Sequence, residues 1–215
     1  NASWTFGKNV AKTLSKQVTT SVPMYEEGHE IILSISDFFL NEKSTCYDIG
    51  CSTGTLLSKI SQRHKNKKNI SFIGIDPVKQ MIIQAKKENK NKIKNVKFIN
   101  NEIEKVKLKK SDLIVSYYTN QFISPKKRQE VINKIYNSLN WGGAFLLFEK
   151  IRGPDARYQD IYSSIYQDFK IMQGYTEKEI VHKQRSLKGV LEPFSTSGNL
   201  GLLKRAGFED ITTVS

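Results

Sequence analysis

The stretch Tyr47-Asp48-Ile49-Gly50-Cys51-Ser52-Thr53-Gly54, answered by Gly74-Ile75-Asp76 about two dozen residues later, decides how the rest of the chain is read. The first piece is a strand end that breaks into a glycine-rich turn and then opens a helix. The second is another apolar strand ending in one carboxylate. Glycine has no Cβ, so the backbone at Gly50 and Gly54 can approach a ligand closely. A carboxylate after the second strand can accept hydrogen bonds from ribose hydroxyls. The spacing follows dinucleotide-binding logic, but the turn is not Gly-x-Gly-x-x-Gly. It reads Asp48-x-Gly50-x-Ser52-x-Gly54. An acid at its start repels a pyrophosphate and suits a ligand bearing an amine and a sulfonium. S-adenosylmethionine (SAM) is such a ligand.

Taken alone, the turn also fits an ordinary strand-to-helix connection. Asp76 at its offset argues against that, and so does the run Asn140-Trp141-Gly142-Gly143-Ala144-Phe145-Leu146-Leu147-Phe148, a helix end, a Gly-Gly turn and an apolar strand. Around these anchors the periodicity predicts a helical stretch from about Val10 to Leu40, with Ile31, Ile32, Ile35, Phe38 and Phe39 on one face and Pro23 setting a turn. Strand one runs to Ile49, and a helix follows from Gly54 to His64. Strand two is Ile70 to Ile75. Pro77 suits the first turn of the next helix because it needs no N–H there. Strand three is Val96 to Ile99, and strand four is Asp112 to Tyr117, apolar throughout as buried parallel strands are. Ser124-Pro125 opens a helix carrying Val131, Ile132, Ile135 and Leu139. Strand five is Ala144 to Phe148. A Lys- and Tyr-rich helical insertion follows from about Asp155 to Val190. A helix at Leu200 to Ala206 and strand six at Phe208 to Val214 close the chain.

Alternating strands and helices imply an α/β fold: a doubly wound, mostly parallel, Rossmann-like sheet with right-handed crossovers. We expect residues 1–215 to form a single SAM-binding domain, with a helical cap at 1–43 and a helical insertion at 151–195. A full sheet of this kind has a seventh strand, the hairpin partner of strand six. The chain stops at Ser215 before that strand, so it is either truncated or lacks that edge.

A chain of 215 residues suits one domain and buries roughly 70 % of its unfolded surface. No apolar run approaches the ~18 residues of a membrane span, and no signal-peptide pattern opens the chain. A cytoplasmic location and no membrane partner are expected. The first residue is Asn1 rather than Met, so further residues are expected before it. Cys46 and Cys51 match no zinc or disulfide spacing, and His29, His64 and His182 are scattered, so no metal is assigned. The net charge is +13. Most of that excess is lysine dispersed over helix faces, while arginine, the better reader of phosphates and bases, is scarce. Solvated helix surface explains the charge better than a specific nucleic-acid site.

From Ser21 to the C-terminus the chain resembles the class I SAM-dependent methyltransferases, and within them most of all the carboxy-SAM synthase family. The segments that carry the resemblance are Ser-Val-Pro-Met-Tyr at 21–25, Tyr-Asp-Ile-Gly-Cys-Ser at 47–52, Thr119-Asn120-Gln121-Phe122 and Lys134-Ile135-Tyr136. To these add Trp141-Gly142-Gly143-Ala144, Phe148-Glu149-Lys150, Asp168-Phe169-Lys170 with Gly174-Tyr175, and Leu203-Lys204-Arg205-Ala206-Gly207-Phe208-Glu209. That family makes carboxy-SAM from SAM and prephenate for tRNA wobble-uridine modification. The resemblance implies that Tyr25 approaches the amino-acid end of the cofactor, and that Gly50, Cys51 and Ser52 line its methionine portion. It further implies that Asp76 holds the ribose, that Pro77 flanks the adenosine, and that Glu102 and Ile103 lie at the adenine. Two positions depart from the family. Tyr117 stands where the family has a cofactor-binding Asn. Gln184 aligns with the Arg that clamps the extra carboxylate of carboxy-SAM, and a one-residue shift would bring Arg185 there instead. A guanidinium grips a carboxylate bidentately, which an amide cannot do.

Three functions compete on this reading. The first is methyl transfer from SAM to a small-molecule acceptor, by proximity and orientation. Its acceptor-side candidates are Tyr25, Tyr117, Tyr118 and His182, although rim packing explains the tyrosines equally well. The second is carboxy-SAM synthesis, with SAM or carboxy-SAM as ligand and Gln184, Arg185 and Tyr118 near the carboxylate. The third is a non-catalytic RNA-binding relic, which would need clustered Arg and exposed aromatics. A homodimer stays open.

Overall fold

The computed structural model describes residues 18–90 and 92–214. Five parallel strands form one sheet in the order β3-β2-β1-β4-β5. They are β1 (Thr45–Ile49), β2 (Ser71–Asp76), β3 (Val96–Asn100), β4 (Ser111–Tyr117) and β5 (Leu139–Phe148). The helices named here are α1 (Tyr25–Phe39), α2 (Thr55–Arg63), α3 (Lys79–Asn89), α4 (Pro125–Ser138), α5 (Ala156–Met172), α6 (Glu177–Ser186) and α7 (Thr196–Ala206).

Strand alternation sorts the core into two layers. Cys46, Phe72, Leu113 and Val115 face α1, α2 and α3 through Ile32, Leu33, Leu57, Ile60, Ile82 and Ala85. Their neighbours Tyr47, Ile49, Ile73, Ile75 and Ile114 face α4 and α7 through Val131, Ile132, Ile135 and Leu202. Each fully buried Ile or Leu contributes about 1.5–3 kcal/mol, and both faces of the central strands are covered, which is why those strands read as continuous apolar runs.

The helical stretch expected from Val10 breaks at residues 20–24. Val18 and Thr19 are helical, the chain turns, and Met24 takes a left-handed φ of 53° before α1 begins. Residues 10–17 lie outside the described residues. The buried face of α1 is Gly28, His29, Ile32, Leu33 and Ser36, rotated from the one expected, and Phe38 is 82 % exposed. The rotation follows from Ser36, whose hydroxyl meets His64 Nε2 at 2.8 Å, and from Gly28, discussed below.

Strand six is corrected. Residues 208–214 form no strand. Phe208 packs edge-on against Tyr136, at 5.0 Å between centroids, so the segment docks through its side chain. A strand needs a neighbouring backbone to bond, and among the described residues no hairpin partner stands beside 208–214. Beyond β5 the chain enters α5 and α6, then returns. Arg152 N–H donates to the Phe194 carbonyl at 3.0 Å, so departure and return meet at one point on the sheet's rim. Asp155 caps α5 by accepting from Tyr158 N–H, and Thr176 with Glu179 forms a capping box on α6. No helix among the described residues is long and apolar enough to cross a membrane.

Candidate active site

The strand order reverses between β1 and β4, and in open α/β sheets ligands bind outside the carboxyl ends of the strands at such a point. The turn after β1 and the loop after β4 touch there. A Cβ on Gly50 would lie 2.0 Å from Thr119 Oγ1, and Gly50 holds φ +76°. Glycine is therefore required by the neighbouring loop and by the backbone. The space a side chain would need at Gly50 is filled by Thr119. Ser52 is left-handed at φ 50° and Gly54 at 76°, so the turn alternates hand along its length.

The turn's N–H groups are already committed. Gly50 and Cys51 N–H both donate to the Ile75 carbonyl, at 2.8 and 3.1 Å, and Gly54 N–H donates to the Cys51 carbonyl. Ser52 N–H donates to Asp76 Oδ2 at 3.0 Å, while Val78 N–H donates to Asp76 Oδ1 at 2.8 Å. The turn's own four N–H groups, those of Gly50, Cys51, Ser52 and Gly54, are thus unavailable to a phosphate, in keeping with the acid at the turn's start. Asp76 thus locks the β1 turn to the β2 turn, and each of its oxygens keeps a lone pair for a further donor.

A narrow cleft of about 50 Å³ lies between this turn and the segment that precedes α1, lined by Val18, Tyr25, Glu26, Asp48, Gly50, Cys51, Ser52, Thr53, Thr55, Leu56 and Tyr117. Asp48 is buried, and its Oδ2 has no hydrogen-bond partner among the described residues. Burial, and then the nearby charge of Asp76, raise its carboxyl to about 7. Tyr25 is held neutral, its hydroxyl pushed far up by burial first and Asp48 next. A wall of this kind favours a cation, which would satisfy the orphaned carboxylate oxygen. A larger groove, about 410 Å³, is lined by Lys105, Lys107, Lys134 and Ser138. It lacks a converging set, since Lys134 Nζ is spent on the carbonyls of Ile103, Glu104 and Val106.

Tyr117 is 8 % exposed. Its hydroxyl donates to the Tyr25 carbonyl at 2.6 Å, tying β4 to the start of α1. Gly28 makes this contact fit, because a Cβ there would fall 2.2 Å from the Tyr117 hydroxyl. The rings of Tyr25, His29, Tyr118 and Phe148 pack around Tyr117 at 4.8–5.1 Å. Burial holds His29 down at about 4, so it is a neutral wedge in this cluster.

The structure brings Tyr25, Asp48, Gly50, Cys51, Ser52 and Tyr117 together around the cleft, with Asp76 one hydrogen bond behind. Gly54 sits at the N-cap of α2, where a Cβ would meet Phe98 at 2.8 Å, a packing position. Pro77 is exposed beside Asp76. Glu102 pairs with Lys105 at 3.0 Å and Ile103 is buried in the second core layer; neither lines the cleft. Gln184 and Arg185 are both exposed on α6, so neither residue offered as the carboxylate clamp turns inward. Their neighbour Lys183 does: burial and then Lys170 lower it to about 8.

Several residues of this region escaped the sequence. Glu149, at the end of β5, accepts from Asn120 and Gln121 N–H, each at 2.8 Å, and burial raises it to about 8. It fixes the loop after β4 that carries Thr119. Lys150 and Lys170 stack on Tyr166, and Lys170 also on Tyr175. The signals were the position of Glu149-Lys150 directly after a predicted strand and the place of Glu149, Lys150, Lys170 and Tyr175 in segments that carry the family resemblance, to which no role was attached.

Residues 47–143 match a methyltransferase domain. The chain is 37 % identical to a carboxy-S-adenosyl-L-methionine synthase of Staphylococcus epidermidis, covering 98 % of this chain and 91 % of that protein. It is 38 % identical to the synthase of the same name from Nautilia profundicola, covering 97 % and 88 %. A putative SAM-dependent methyltransferase from Methanococcus maripaludis shares the fold at TM-score 0.60 and 19 % identity, over 98 % of this chain and 89 % of that one. A cyclopropane synthase from Mycobacterium tuberculosis does so at 0.62 and 16 %, over 84 % and 60 %. The chain belongs to the class I SAM-dependent methyltransferases, in the family of the carboxy-SAM synthases, and it is a transferase that uses SAM. Its residues fit that molecule: the orphaned Asp48 oxygen suits the amine, and both Asp76 oxygens keep acceptor capacity for the ribose.

Proposed function

We propose that this transferase acts on SAM itself and converts it, with prephenate, to carboxy-SAM. SAM supplies an S-methyl carbon made acidic by the sulfonium. Prephenate would lose its ring carboxyl as CO2 and its ring hydroxyl as hydroxide, leaving phenylpyruvate. The hydroxide takes the S-methyl proton and departs as water, and the methyl carbanion adds to the CO2. Asp48, Tyr25 and the Gly50–Ser52 turn would hold the methionine end, and Asp76 the ribose, with Pro77 beside the adenosine. The observation that carries the SAM site is the buried Asp48 Oδ2 without a partner, beside a glycine that Thr119 leaves no room to replace. The carboxyl half of the reading is supported by the relatives' name, shared over nearly the whole chain.

Methyl transfer to a small-molecule acceptor is the competing reading, and the outward position of Gln184 and Arg185 favours it. Purified protein incubated with SAM and prephenate and analysed by mass spectrometry decides between them. Carboxy-SAM in the product, or carried through purification, is the expected result. Unaltered SAM with prephenate left intact would hand the function to methyl transfer. We further propose that a small molecule is the partner of the site, with a homodimer left open, and that the basic surface is not a specific nucleic-acid site. Binding of tRNA should then stay in the non-specific range, about 10⁻⁴–10⁻⁶ M at physiological salt.

A further inference from the structure

A buried cation needs an anion or excellent hydrogen bonding, because taking an ammonium out of water costs several kcal/mol. Lys170 is 5 % exposed. Its ammonium meets the Ser21 hydroxyl at 3.1 Å and the faces of Tyr175, at 4.1 Å, and Tyr166, at 5.6 Å. Lys150 lies over the same Tyr166 ring at 4.4 Å, and Lys183 feels Lys170's charge from α6. Neither Lys150 nor Lys170 makes an ion pair among the described residues. Glu179, whose charge reaches Tyr175, is committed to Thr176 in the capping box, and Glu149, next to Lys150 in the chain, to the N–H groups of Asn120 and Gln121. A lysine in the last turn of a helix is favoured by the helix dipole. That accounts for Lys170 alone, and not for the approach of Lys150 from the end of β5. The cations repel one another, and burial together with that repulsion lowers Lys150.

The cluster lies against the segment that closes the SAM cleft. Tyr166 hydroxyl donates to the Ser21 carbonyl at 2.9 Å, and the Tyr175 hydroxyl bonds the Thr20 and Ser21 hydroxyls at 2.9 and 3.2 Å. Val18 and Tyr25, a few residues to either side, line the cleft. Lys170 forms a buried floor and Lys150 an exposed rim, so an anion can reach the site from solvent.

We infer that Lys150 and Lys170, flanked by Tyr166 and Tyr175, recognise the carboxylates of the small dianion that serves as second substrate. This rests on the synthase reading, in which that dianion is the carboxyl donor. A carboxylate between the two ammoniums would remove their repulsion and supply the missing counter-charge.

The test uses the full chain and three variants, Lys150→Met, Lys170→Met and Lys170→Arg. Unchanged SAM affinity by calorimetry establishes that each is folded. Prephenate is titrated in the presence of S-adenosylhomocysteine, with malonate and inorganic phosphate as simpler anions, and carboxy-SAM formation is followed separately. The expected result is at least a tenfold weaker prephenate Kd and a raised KM in both Met variants, with partial recovery in Lys170→Arg. Unchanged prephenate affinity and KM in both Met variants overturns the site while leaving the synthase reading intact. A wild type that yields no carboxy-SAM, yet binds malonate in a way that needs Lys170, sinks the synthase reading and keeps the anion site. Phosphate bound as well as the carboxylates, with prephenate not competing, overturns the assignment to the substrate.

Discussion

The two sides of the Val18–Tyr25 segment carry opposite charge. Toward the sheet, Asp48 and Glu26 line a cleft, with Asp76 behind them. Toward the insertion, Lys150 and Lys170 gather around Ser21 and its neighbours without a carboxylate between them. The acidic side is built mainly by the turn after β1, with Glu26 added from α1 and Asp76 from the end of β2. The basic side is assembled from the end of β5, the end of α5 and α6. On the proposed reading a cationic sulfonium would sit on the first side and an anionic partner on the second, with the segment bordering both.

Changes on the acidic side should therefore cost SAM binding and spare the basic side. The largest effect is expected for Gly50→Val. A branched residue at φ +76° is strained by about 1–3 kcal/mol, and the collision with Thr119 adds overpacking of similar size. Calorimetry should detect no SAM binding, and the melting temperature should fall. Normal binding would mean that the turn is only a connection. Asp76→Ala comes next. It removes charge-assisted bonds to the ribose, each worth about 1.5–3 kcal/mol, and frees Ser52 and Val78 N–H. SAM affinity should drop at least tenfold with malonate binding unchanged, and loss of both would erase the distinction between the two sides.

Gly28→Ala tests the join. Its methyl would press on the Tyr117 hydroxyl and displace Tyr25, at a stability cost of about 1–3 kcal/mol. Because that shift moves the whole segment, SAM and malonate binding should both weaken, and an effect on SAM alone would show the sides to be independent. The smallest effect concerns pH. The Asp48 carboxyl is raised to about 7, against about 4 when unfolded. Without ligand, the protonated form therefore favours the fold, and that stability is lost as pH climbs from about 4 through about 7. A bound amine favours the carboxylate. SAM affinity should therefore rise with pH, by up to about tenfold per unit, and level off above about 7. Asp48→Asn should flatten that curve, and a wild-type curve already flat would remove Asp48 from the amine.

The acidic half was legible because its signals are local. Asp48, Gly50 and Ser52 are neighbours, and Asp76 ends a strand whose apolar run is unmistakable. The alternating pattern also placed all five observed strands. What failed was whatever depends on a distant partner. Residues 208–214 look like a strand but have no backbone to pair with. Phe38 reads as core, yet α1 turns it to solvent because Gly28 must face Tyr117. Lys170 was visible only as part of the family-like segment Asp168-Phe169-Lys170, and the fold reveals Tyr166, Tyr175 and Lys150 around it. Gln184 and Arg185 were judged by alignment, whereas the pitch of α6 turns their neighbour Lys183 inward.

The hydrogen bond between Arg152 and Phe194 gives the molecule a hinge point for change. The segment between these residues is a loop closed at the rim, held besides by Tyr166, Lys170 and Tyr175 at Thr20 and Ser21. The entropy of closing such a loop grows only with the logarithm of its length, about 0.6 kcal/mol per doubling. Helices there can be lengthened, exchanged or re-lysined while the five strands and the glycine turn keep their register. A lineage could in this way alter which anion it accepts and hand the same nucleoside site on intact.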